Sequence, residues 1–144
     1  MTAVLTGTII PRQPKLEIGI VNLQSSDVPA NSVVKIDTGN DPATQFAATP
    51  GAVGLAVLVS SAGSYPVGVT IDDMPAGAQG RMQIGGFMYA VASGAITAGA
   101  VVAPDTGGKI KTTPASTPAL GLAWTAAATN LDLVLVQINI SATS

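Results

Sequence analysis

The chain repeats itself. Val28-Pro-Ala-Asn-Ser-Val-Val-Lys-Ile-Asp-Thr-Gly39 aligns with Ile96-Thr-Ala-Gly-Ala-Val-Val-Ala-Pro-Asp-Thr-Gly107 at an offset of 96 − 28 = 68. Identities fall at Ala30/Ala98, Val33/Val101, Val34/Val102 and throughout the two Asp-Thr-Gly triplets. Further on, Val67-Gly68-Val69 matches Leu120-Gly121-Leu122 at an offset of 120 − 67 = 53. A repeat inside 144 residues restricts the fold to two copies of one small unit, and units that short bury their apolar faces against each other. The offsets differ by 68 − 53 = 15, so the first copy carries an insertion of that length, most simply around Ala52 to Tyr65.

Each unit reads as β-structure. The 16 Gly and 10 Pro punctuate the chain at the spacing of short strands and turns, and no window sustains an apolar period of 3.6 residues. Lys15 to Ile20 alternates, which turns Leu16, Ile18 and Ile20 inward. Leu131 to Ile140 opens as a continuous apolar run and ends alternating, as a central strand does when its far end reaches the surface. The Asp-Thr-Gly triplets are turns: Asp bonds its own backbone two residues on, and Gly accepts positive φ. Val101–Ala103 then pairs with Lys109–Thr113, Ile110 facing opposite to Lys109 and Lys111. The expected fold class is all-β, a small β-sandwich or barrel built from two degenerate repeats (28–86 and 96–140) within residues 28–144. Residues 1–27 form an extended N-terminal arm and leading strand.

Composition limits function. Only 10% of residues are charged, against about 25% in an ordinary domain, while 47% are hydrophobic. Pro and Gly interrupt every charge-free stretch long enough to span a bilayer, and the hydrophobicity is too high for a disordered chain. A soluble β-domain remains, its surface designed to be covered by partners. Six scattered Lys and Arg make no phosphate-binding run, so no nucleic-acid partner is expected. With no Cys and no His, the chain lacks cysteine nucleophiles, thiolate metal sites and the serine-protease triad. Asp72-Asp73 is too small a donor set for Ca²⁺, which takes six or more oxygens. Neither phosphate-loop nor nucleophile-elbow motifs occur. No catalytic residue, cofactor, metal or membrane partner is expected, and the chain is not read as an enzyme.

Two elements are candidates for contact. Ala3 to Ile10 is β-competent, and Pro11 and Pro14 separate it from the next strand. An arm of ten residues reaches up to about 33–36 Å, enough to add a strand to a neighbour. Val4, Leu5, Ile9 and Ile10, with Arg12 as a charged tether, are its expected partner-binding residues. Trp124, after Gly121, is expected in a subunit interface or the core.

The first Asp-Thr-Gly series, the run from Pro66-Val-Gly-Val-Thr-Ile-Asp-Asp-Met-Pro through Arg81-Met-Gln-Ile-Gly-Gly86, and the later Asp105-Thr-Gly-Gly-Lys-Ile and Ala119-Leu-Gly-Leu-Ala-Trp124 together resemble the capsid decoration (cement) proteins of tailed bacteriophages. The likeness covers roughly residues 28–140. It implies a structural protein on the outer surface of the mature head, made in the host cytoplasm, often a trimer and sometimes a dimer. Such a protein sits at junctions between major capsid proteins and stabilises the expanded shell. The alternative is a carbohydrate-binding or adhesin-like β-module of a phage tail or head fibre, for which Tyr65, Tyr89 and Trp124 are the aromatic candidates.

Overall fold

The computed structural model describes residues 16–39, 55–113 and 117–141. They form nine strands: β1 (Leu16–Val21), β2 (Val33–Ile36), β3 (Leu55–Val59), β4 (Gly68–Thr70), β5 (Gln79–Val91), β6 (Val101–Pro104), β7 (Ile110–Thr112), β8 (Ala119–Ala123) and β9 (Leu133–Ser141). The only helical element among the described residues is a 3-10 turn at Thr106–Gly108. The strands follow the order β1-β3-β2-β4-β5-β9-β8-β6-β7, with β1 also pairing β5. That extra pairing closes the first five strands into a barrel, which removes their open edges.

The second unit repeats the first in pairing and in register. Val34 faces Val59 as Val102 faces Thr112, and Val33 faces Val69 as Val101 faces Leu122. Likewise Ile20 opposes Gly80 as Ala90 opposes Val134. The parallel contact of β1 with β3 returns as a single parallel bridge between Ala92 and Ile110, which closes the second unit. Equivalence therefore begins at β1, and the 13-residue β5 is shared. Its first half is the last strand of one unit and its second half is the first strand of the next. The changeover lies at Gly86, where φ is +82°, a value glycine adopts without penalty.

These registers move the insertion. Ile36 opposes Val57 and Pro104 opposes Ile110, so the offset of 53 already holds at β3. The 15 extra residues are those between Gly39 and Leu55, ahead of β3 rather than around 52–65; they lie outside the described residues. Ala56-Val57-Leu58-Val59 and Lys109-Ile110-Lys111-Thr112 share no identity, which hid their equivalence.

Ile20, Val28, Val34, Val57, Met74 and Met82 fill the first barrel. A second cluster, centred on Ala90, Val102, Ile110, Leu120, Val134 and Val136, fills the second and takes in Val33 and Val69 from the first unit. The units are thereby joined by a common core as well as by β5. Ile20 is fully buried as expected, and Ile18 packs against the first cluster. Leu16 does not turn inward: it is 59% exposed. A register shift between Leu16 and Glu17 breaks the alternation there.

Candidate docking surface

The two Asp-Thr-Gly turns are built differently. Asp37 Oδ1 accepts the Gly39 backbone N–H at 3.1 Å, as the sequence led one to expect. The Gln24 side-chain amide donates to the other oxygen at 2.8 Å. Asp105 instead accepts the Ser93 hydroxyl at 2.6 Å and faces Lys111 Nζ at 3.5 Å. The Ser93 hydrogen bond leads the causes that hold the Asp105 carboxyl below its ordinary range. Gly107 and Gly108 carry the positive φ, 75° and 74°, in this second turn. Gly108 also fastens the units together. Its N–H donates to Ser60 O at 3.1 Å, and a Cβ there would meet Val59 and Ser32.

Asp72 and Asp73 are occupied within the fold. Arg81 donates to Asp72 from Nε and from Nη2 at 3.0 Å each, and Asp73 Oδ1 accepts the Ala30 N–H at 2.8 Å. The Arg81 hydrogen bond lowers the Asp72 pKa and raises its own. Arg81 also reaches Glu17 at 3.4 Å, making a small charged face on the first barrel. Among the described residues no three acidic side chains gather as a metal site would require.

The second barrel presents a different face. On the β6-β8-β9-β5 side the residues pointing away from the core stand in cross-strand rows. Val101 opposes Leu122, Leu122 opposes Gln137, and Gln137 opposes Phe87. In the next row the Trp124 N–H donates to Leu135 O, and Leu135 opposes Tyr89. Leu133 and Val91 form the third. The Phe87 and Trp124 rings meet edge to face, centroids 5.1 Å apart. The indole N–H of Trp124 donates to Gln137 Oε1 at 3.0 Å, so its one polar atom is satisfied without a partner molecule.

Trp124 is 55% exposed, on this outer face rather than in the core. Tyr89, half exposed, stands on the same face; Tyr65 lies on the other unit, between β3 and β4. Val4, Leu5, Ile9, Ile10 and Arg12 lie outside the described residues. Sequence reasoning singled out Trp124 but missed Phe87, Leu122, Leu133 and Leu135 as its companions. One signal was present: β9 is apolar on both faces at its start, and a strand reads that way when both faces are covered.

A family model described as phage cement protein matches residues 12–138. No curated protein matches the chain significantly. Among solved structures, the chain is similar to the head fiber gp8.5 N base of bacteriophage phi29. The TM-score is 0.64 at 17% identity, covering 88% of this chain and 95% of that one.

Proposed function

This chain belongs to the phage cement protein family, and from that membership we propose that it binds the outer surface of a phage head and stabilises the expanded shell by bridging neighbouring major capsid proteins. The family match over residues 12–138 carries this reading. Two further observations support it. The surface is poor in charge, and a cement protein needs adhesive area rather than chemistry. The segment preceding β1 contains the β-competent stretch that could add a strand to a capsid subunit. Each contact can be weak, since an oligomer gripping several capsomers gains about 10²–10⁴-fold over one contact.

The arm carries the capsid contact in this proposal, through Val4, Leu5, Ile9 and Ile10, with Arg12 as the tether. Deleting residues 2–10 is expected to leave the thermal transition of the domain in place while abolishing retention on expanded heads. Retention equal to that of the full chain overturns the assignment of the arm.

A head-fibre base that binds glycans is the second reading, favoured by the exposed Trp124–Tyr89 face and by the fold shared with the phi29 fiber base. Quenching of Trp124 fluorescence by glycans, without binding to heads, would select it.

A further inference from the structure

We propose that the outer face of the second unit is a self-association surface whose occupant is a second copy of this chain. The shared registers give every outward position on one unit a counterpart on the other. Where the second unit has Phe87, Tyr89, Leu133 and Leu135, the first has Glu17, Gly19, Gln79 and Arg81. The first set is polar enough to hold an ion pair between Arg81 and Glu17. The same barrel closes with either set, so its pleat does not require apolar groups there. Tyr89 and Leu133, left half exposed where the fold has no need of them, mark a contact surface.

The remaining outward pair identifies the occupant. Val101 and Leu122 are 49% and 36% exposed. Their counterparts Val33 and Val69, in the same register, are 0% exposed. Those two valines point away from the first barrel and belong to the core cluster of the second unit. This part of the outer face is therefore covered, where it is covered, by another unit of the same repeat. Among the described residues no third unit covers Val101 and Leu122; a neighbouring copy supplies one.

Exposure and charge agree with that occupant. Trp124 and Tyr89 are 55% and 50% exposed, Leu131 and Leu133 64% and 52%. With Val101 and Leu122 they are six large side chains each at least 36% exposed, more than the singly scattered apolar residues of an ordinary surface. None of these residues is Asp, Glu, Lys or Arg and the chain's net charge is only −2, so two copies meet almost without repulsion.

The test gives the second unit the first unit's own residues: Leu131→Gly, Leu133→Gln and Leu135→Arg, the last two matching Gln79 and Arg81 and the first matching Gly77. Sedimentation equilibrium of the 144-residue chain up to about 100 μM should give a multiple of the monomer mass, and the triple variant the monomer mass. Trp124 emission should shift to the red in the variant as the indole becomes wet. Circular dichroism and the thermal midpoint check that the variant folds; if it does not, Leu133→Gln alone is read the same way. A monomeric wild-type chain, or a triple variant of unchanged mass, overturns the proposal. So does a monomeric wild type whose variant loses only head retention, an outcome that assigns the face to the capsid. Mass and retention are separate readouts, so failure of the capsid reading leaves the mass result standing.

Discussion

Gly68 and Gly121 hold the same place in the two units, and neither has room for a methyl group. A Cβ on Gly68 would lie 2.7 Å from Gln83 O, and one on Gly121 would run into Gln137 O. Both glycines let one strand press against the backbone of the next, at β4–β5 and at β8–β9. Gly94 is the contrast: a Cβ there meets nothing within 4 Å. Gly121→Ala should therefore cost about 3 kcal/mol or more, because backbone rather than a flexible side chain must give way. Gly94→Ala should stay within about 0.5 kcal/mol. Urea midpoints of the two variants measure the difference, and equal midpoints would show that β8 can shift. The sequence disclosed Gly68 and Gly121 as a matched pair, because their apolar neighbours match too. It could not disclose the reason, since a close approach between strands depends on register and leaves no local mark.

The elements were legible to different degrees for physical reasons. The β2 and β6 strands and their Asp-Thr-Gly turns stood out because turn chemistry selects particular residue types. The pairing of β7 with β6 was legible too, but the equivalence of β3 with β7 was not, since a strand asks only for side chains that suit the pleat, and Lys109-Ile110-Lys111 meets that demand as well as Ala56-Val57-Leu58. Least legible was β5. Gly85-Gly86 reads as a break in sequence, yet the strand continues through it. Gln83 explains how. It is buried, and its side-chain amide donates to Gly85 O at 2.8 Å and Phe87 O at 2.6 Å. Those bonds fix the changeover from one barrel to the other. Gln83→Leu leaves two carbonyls without their donor and should destabilise the protein by roughly 1–3 kcal/mol. Denaturant titration followed by Trp124 emission reads this; a variant as stable as wild type would mean water replaces the amide.

For the whole molecule, pH dependence follows from the carboxylates. Asp72, Asp105 and Asp132 all have lowered pKa values, the last through the backbone N–H groups of Thr129 and Ala128. A carboxylate whose pKa is lower folded than unfolded adds stability above the unfolded value, about 3.9 for Asp, and loses it as pH falls through the folded value. With no His in the chain, no side chain of ordinary pKa titrates between about pH 5 and 8. The thermal midpoint should be flat across that range and fall only below about pH 4. Asp105→Asn should flatten part of the acid limb, whereas a midpoint that drops between pH 8 and 5 would contradict this account. The lack of His that restricts function at the level of composition thus also makes the folded state indifferent to pH near neutrality.

Sharing β5 also sets a path for load. The first residue of β1, Leu16, lies beside Gly85 at the middle of β5. A pull on the chain ahead of Leu16 enters β1 and crosses its antiparallel hydrogen bonds into β5. From there it passes along continuous strand into the second unit and across to β9. No loop lies on that route, so tension applied ahead of Leu16 is borne in shear by strand ladders and reaches the apolar face without a compliant joint.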